Sequence, residues 1–275
     1  MSIAVGAPST LGQDGLSRDQ LLHFAKHGWV LLEDVIDPDL CRACCDAGRR
    51  MEANLTSGRT KDDSDRGNTL GYREPHMHDP VLFELYKIPG LLAAARQIVG
   101  YDDIRYIESL MTIVSPDRER HTNLEMVNDR STWGWHRAYR RKDIVTRHDT
   151  DPQLINSAMV SLAMYFVPVS PEHGMTALLD KSHEFDEISE SYNDFADRYE
   201  FVQPTAGAGS IMMFTEALLH TPAPVLSDQR RFAYFTFLAV PWFYRCGEVP
   251  FAHSAFADEG LRGIFAPSVE YNTAL

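Results

Sequence analysis

From residue 105 onward the chain is a succession of short runs of β-forming residues cut by turn formers, and that pattern limits what it can fold into. Residues 106–114 read Tyr-Ile-Glu-Ser-Leu-Met-Thr-Ile-Val and stop just before Pro116. Further runs at 158–169, 175–179, 210–214 and 232–240 are bounded by Gly, Pro and Asp. Runs this short and this apolar predict strands buried in a sandwich or barrel. The first third of the chain reads differently. Ser17 stands where a helix N-cap belongs, Gln20 completes a capping box, and Gly28 ends that helix. Residues 29–32 then form a short apolar strand. A second helix runs from about Asp39 toward Asn54. A third covers 80–99, with Leu82, Leu85, Ile88 and Leu92 at helical spacing and Gly100 at its end. Residues 1–16 lack periodicity and read as a flexible tail. Polar stretches at 55–75 and 116–131 read as surface loops or lids, and 184–199 as an acidic helical insertion. The resulting expectation is mainly β with flanking α. It is a double-stranded β-helix, a cupin-like jelly roll, with an N-terminal helical layer, and residues 17–275 form a single domain.

Composition narrows the partners. With 39 Asp and Glu against 26 Lys and Arg, the net charge is −13. Nucleic acid and anionic membranes both require a basic surface, so neither is expected as a partner. Three of the four cysteines, Cys41, Cys44 and Cys45, share one face of the second helix, and Cys246 does not complete a zinc set. They are expected to be small buried apolar residues. Neither a signal peptide nor a run of about 20 apolar residues is visible, so cytoplasmic localisation is the expectation.

Six short motifs occur in an order that carries more information than any of them alone. Residues 16–30 run Leu-Ser-Arg-Asp-Gln-Leu through Phe24 to His27-Gly28-Trp29-Val30. Trp135-His136 follows, then Glu172-His173-Gly174-Met175 leading to Lys181-Ser182-His183. Gly207-Ala208-Gly209-Ser210-Ile211 precedes His220, and Arg230-Arg231-Phe232 opens the last strand. In this order the chain resembles the phytanoyl-CoA dioxygenase family of Fe(II)- and 2-oxoglutarate-dependent oxygenases, from about Leu16 to Val240.

The resemblance implies a site. His136 and His220, 84 residues apart, would bind iron through neutral imidazole nitrogens. Arg231 would clamp the far carboxylate of 2-oxoglutarate, a task suited to its planar, two-pronged fork. Arg230 must face the other side of the sheet, because side chains alternate along a strand. One position departs from the family. The first ligand segment usually reads His-x-Asp and completes a two-His, one-carboxylate set, but here Ala138 stands in place of Asp.

Three readings of Ala138 remain open at this point. Preferred is a halogenase in which chloride or bromide binds the metal at the vacated position and is transferred to the substrate carbon. The second is a hydroxylase or desaturase that draws its third ligand from elsewhere, with Asp143 and Glu108 as candidates, or works with water at that position. The third is a degenerate scaffold. Retention of both histidines and Arg231 argues against the last. The expected cofactors are therefore Fe(II), 2-oxoglutarate, O2 and chloride or bromide, with an unactivated C–H bond of a small molecule as target. A cupin-type protein that binds a ligand without turning it over is the competing class. Trp133, Trp135 and Tyr139 are candidates for an apolar pocket wall, and the basic run 140–142 for attracting an anionic substrate group.

Overall fold

The computed structural model describes residues 10–54, 69–116, 125, 128–138, 157–184, 196, 198–243 and 259–265. Its centre is a six-stranded antiparallel sheet, followed in chain order by strands β1 (Trp29–Leu32), β2 (Thr69–Arg73), β3 (Arg105–Val114), β4 (Met159–Tyr165), β7 (Ile211–Thr215) and β9 (Arg231–Ala239). Their spatial order is β1-β7-β4-β9-β3-β2. A smaller sheet of order β6-β5-β8 is made of β5 (Ala177–Leu179), β6 (Phe201–Val202) and β8 (His220–Thr221).

Both faces of the large sheet are covered, and the alternation along its strands shows how. Val30 and Leu32, Val160, Leu162 and Met164, Ile211 and Met213, and Phe232 and Tyr234 point to one side. There they meet α2 (Pro38–Asn54) and α3 (Leu91–Val99), which contribute Cys44, Ala47, Met51, Ala94, Ala95 and Ile98. Trp29 and Leu31, Ala163 and Tyr165, Met212 and Phe214, and Ala233 point to the other side. They pack on Met175, Leu178, Val202 and Leu218 of the small sheet and its loops. A strand buried on both faces has no polar alternation to show, which is why 158–169 and 210–214 read as unbroken apolar runs. The jelly roll with an N-terminal helical layer is thus the observed fold.

Local signals explain the edges of the elements. The first helix, α1 (Arg18–His27), begins at Ser17 with a complete capping box and stops at Gly28, whose φ of 81° a side-chain-bearing residue rarely adopts. A Cβ at Gly28 would also stand 2.5 Å from Nδ1 of His183. Past this turn, the Trp29 indole N–H (2.9 Å) and the His27 ring (2.8 Å) both bond the Asp180 carboxylate, tying α1 and β1 to the segment after β5.

Three expectations are corrected. The helix read over 80–99 is a 3-10 turn over Pro80–Lys87 followed by the separate helix α3. Pro89 disfavours helical backbone at Ile88, and Gly90 (φ 78°) packs so closely on the Gly12 carbonyl that a Cβ would lie 1.9 Å from it. Residues 69–73, read as the end of a polar loop, form the edge strand β2, paired with β3 from Thr69↔Val114 to Arg73↔Leu110. From Thr10 the expected tail is held in place: Gly12 and Gly15 form a bridge, and the Leu16 amide donates to Gln97 at 2.7 Å. The remaining loop at 55–68, most of 116–131 and 184–199, and the basic run 140–142 lie outside the described residues. Among the described residues, no helix is long and apolar enough to cross a membrane.

Cys41, Cys44 and Cys45 are free and buried, as expected. Desolvation raises the Cys41 and Cys45 thiols to about 11 and pushes Cys44 higher still. Thiolate is the reactive form. These three cysteines should therefore resist iodoacetamide at pH 8 in the native protein and react fully in urea, as read by peptide mass spectrometry.

Candidate metal centre

Strand β8 and the segment before residue 139 place two histidines directly opposite one another. The His136 amide donates to the His220 carbonyl and the His220 amide to the His136 carbonyl, each at 3.0 Å. Directly paired residues of an antiparallel ladder project to the same side. The two rings follow, with centroids 4.3 Å apart and planes inclined at 58°. Each ring is then fixed by its own chain. Nδ1 of His136 faces the Gly134 carbonyl at 3.0 Å, and Nδ1 of His220 faces the Leu218 carbonyl at 2.9 Å. A carbonyl oxygen only accepts, so Nδ1 carries the hydrogen and Nε2 keeps its lone pair. That is the tautomer and support a metal-bound imidazole requires. Burial pushes the His220 pKa down to about 4, so this ring is neutral at physiological pH.

His136 and Ala138 lie on the open side of this pair, and both are exposed. The Ala138 amide donates to the Glu216 carbonyl at 2.9 Å, two residues out of the register set by the His136–His220 pair, which would bring Leu218 opposite Ala138. Glu216 is the residue that sequence reasoning missed. Its side chain is buried and accepts a short hydrogen bond from the Ser161 hydroxyl. Its Oε1 lies 3.9 Å from Nε2 of His220. Desolvation raises its pKa, opposed by the Ser161 bond and by the field of His136. The one available signal was a lone acid in the run Phe214-Thr215-Glu216-Ala217-Leu218-Leu219, four residues ahead of His220. Among the described residues, no three His, Cys, Asp or Glu side chains already close around one ion. Of the earlier third-ligand candidates, Glu108 pairs with Arg73 at 3.4 Å near the sheet edge, and Asp143 lies outside the described residues.

Arg231 opens β9 on the face shared with Ala233, toward the small sheet, and is 2% exposed. Its Nη1 donates to the Gly174 carbonyl, and its Nε has no hydrogen-bond partner. No carboxylate among the described residues pairs with it. A buried guanidinium without an anion is costly, and its pKa is lowered by that desolvation. Arg230 points the other way, as alternation requires, and holds Glu52 of α2 with two bonds of 3.0 and 2.8 Å. Packing links Arg231 to the histidines. Tyr165, whose field acts on Arg231, donates to Thr176 at 2.8 Å; the neighbouring Ala177 pairs with Thr221, and Leu178 with His220. On the far side, Trp133, Trp135 and Phe201 form an aromatic wall, with the Arg130 guanidinium 3.6 Å above the Phe201 ring.

With this geometry in place, the comparisons with known proteins can be stated. The profile of the family described as Phytanoyl-CoA dioxygenase (PhyH) matches residues 24–233. No curated protein matches the sequence. Among solved structures, HygX from Streptomyces hygroscopicus with nickel and 2-oxoglutarate bound superposes with a TM-score of 0.62 at 18% identity, covering 92% of this chain and 96% of that one. The carbocyclase SnoK from nogalamycin biosynthesis gives 0.62 at 18% identity, covering 96% and 95%. The epimerase SnoN in complex with Fe3+, alpha ketoglutarate and nogalamycin RO gives 0.61 at 16%, covering 91% and 92%. At these identities the likeness shows a shared fold.

Gly174 tests the Arg231 seat. It adopts φ 71°, and a Cβ there would stand 2.8 Å from the Ala223 carbonyl and 3.2 Å from Nη1 of Arg231. Gly174→Ala is expected to lower the unfolding free energy by about 1–3 kcal/mol, measured by urea denaturation. A change of a few tenths would mean the turn adjusts without cost.

Proposed function

The chain belongs to the phytanoyl-CoA dioxygenase family, and from that premise we propose that it uses Fe(II), 2-oxoglutarate and O2 to functionalise an unactivated C–H bond of a small molecule. The observation that carries this reading is the buried Arg231 fork, which has no carboxylate partner among the described residues, in the same inter-sheet space as two imidazoles of ligand tautomer. Retention of a carboxylate clamp beside a metal-ready histidine pair fits a 2-oxoacid co-substrate.

His136 and His220 would hold the metal through Nε2, and Arg231 would pair with the far carboxylate of 2-oxoglutarate. Together with O2 these would supply the oxidant for the C–H bond, 2-oxoglutarate leaving as succinate and CO2. Trp133, Trp135 and Phe201 pack with Ala177, Leu179 and Leu219 on the face of the small sheet turned away from the histidine pair, so they brace that pairing from behind and do not line the site. Solved neighbours hold hygromycin B in one case and nogalamycin RO in another. A specialised metabolite of comparable kind is the substrate class we take for this chain.

Ala138 leaves two outcomes. A halide in the place of the missing Asp would give halogenation, the expectation drawn from the sequence. Glu216 favours the other outcome: with its carboxyl group 3.9 Å from His220, a metal bound there would draw off its proton, and the resulting anion would oppose a halide by Coulomb repulsion. Hydroxylation or another halide-free oxidation is therefore the reading carried forward.

The first test is anaerobic. Fe(II) protein given 2-oxoglutarate should develop a weak visible charge-transfer band, and added chloride should leave it in place. A chloride-dependent shift would return the halogenase reading. Absence of any band, with no succinate formed in air, would sink the enzyme reading altogether; a band without succinate would point to a ligand-binding protein. Arg231→Gln is expected to weaken 2-oxoglutarate binding on the order of a hundredfold in a calorimetric titration, the usual scale for a buried charge losing its partner.

A further inference from the structure

The carboxylate that position 138 lacks is supplied from elsewhere. Resting on the iron-site reading above, we infer that Glu216 is the third protein ligand of the metal, completing with His136 and His220 a two-histidine, one-carboxylate set.

Placement is the first argument. The Ala138 amide bonds the Glu216 carbonyl at 2.9 Å, so the backbone of Glu216 lies alongside the residue from which the family's Asp would reach. A longer side chain starting from the turn between β7 and β8 spans to the same region that a shorter one would reach from 138. The second argument is burial. Glu216 is 3% exposed, and the one side chain among the described residues that donates to its carboxyl group is Ser161. A buried carboxylate with one neutral donor is poorly compensated, and a divalent cation is the strongest compensation available to it. The third is its partner. Oε1 of Glu216 faces Nε2 of His220 across 3.9 Å, and that nitrogen holds a lone pair because Nδ1 carries the hydrogen. Two acceptors 3.9 Å apart are reconciled by a proton or a metal ion shared between them, and a metal ion also draws the proton off the carboxyl group. An oxygen and a nitrogen sharing an ion at ~2.1 Å each, at right angles, stand about 3 Å apart. Closing the gap therefore asks for a shift of about 1 Å of one flexible side chain, with the Ser161 hydroxyl, which donates to the same Oε1, remaining to orient that oxygen.

The consequence is chemical as well as structural. Metal charge is offset by an oxygen anion from the protein, as in an ordinary oxygenase of this family, although the motif around His136 reads as if that anion were gone.

Cobalt(II) is a suitable probe, added to full-length protein stripped of metal and followed by calorimetry and by its visible absorption. Wild type should bind it. Glu216→Gln keeps the shape and removes the charge, and should weaken binding by at least about a hundredfold. The melting temperature of the metal-free variant should stay level or rise, an outcome that a purely structural role for Glu216 would reverse. Adding Ala138→Asp to Glu216→Gln should restore affinity to within roughly tenfold of wild type. Ala138→Asp alone, which leaves Glu216 untouched, should gain little. If Ala138→Asp alone tightens cobalt binding tenfold or more, the third position was vacant and the inference is wrong. It is equally wrong if Glu216→Gln binds as wild type does while His220→Gln does not, a result that leaves the iron-site reading intact. Should wild type fail to bind cobalt, or His136→Gln and His220→Gln both bind it normally, the iron-site reading itself falls and takes the inference with it.

Discussion

Two backbone hydrogen bonds, running both ways between His136 and His220, bring together residues that the chain separates by the four strands β4 to β7. The histidines do not meet because their side chains attract one another; two neutral imidazoles have little reason to. They meet because the segment before residue 139 adds one rung to β8, and directly opposed residues in an antiparallel ladder share a side. The small sheet, in turn, is held over the large one by the apolar layer of Trp29, Tyr165, Phe214 and Leu178. Phe214 lies 4.7 Å from the His220 ring, so that packing reaches the site itself. The candidate site hangs on that rung and the layer beneath it.

The same layer explains why charge inside it carries information. Interiors hold polar groups when those groups are paired, and exceptions call for a reason. Arg230 and Arg231 are adjacent in sequence, yet one closes on Glu52 at the rim while the other is sealed in with a single carbonyl. Glu216 is sealed in with a single hydroxyl. A guanidinium and a carboxyl group are thus buried in one fold and not spent on each other, which is the observation the proposed co-substrate and metal sites rest on.

Much of this was legible in the sequence, and the reasons differ by element. The capping box at Ser17, the turn at Gly28 and the five apolar runs after residue 105 are local signals, and local physics decided them. The opposite facing of Arg230 and Arg231 follows from strand alternation alone. The helix expected over 80–99 failed because a periodic apolar pattern outvoted Pro89 and Gly90, and the close approach of Gly90 to Gly12 is a tertiary fact. Strand β2 was hidden because an edge strand such as Thr-Leu-Gly-Tyr-Arg carries little of the apolar signature of a buried one. Glu216 was invisible for a deeper reason. Motif reading looks for a carboxylate at a fixed distance along the chain from His136, whereas a ligand is defined by distance through space, and residues 138 and 216 become neighbours only when the sheet forms.

The imidazole hydrogens of this site are assigned by the carbonyls of Gly134 and Leu218, which belong to the main chain. No substitution can delete a carbonyl. The basicity and orientation of both rings are thus inherited with the backbone trace and pass unchanged through any drift in neighbouring side chains. A carboxylate enjoys no such protection, being present or absent by one codon. In a lineage built on this frame, the nitrogens would be the heritable constant and the anion the free variable, so new chemistries could be sampled at the metal without rebuilding the centre that holds it.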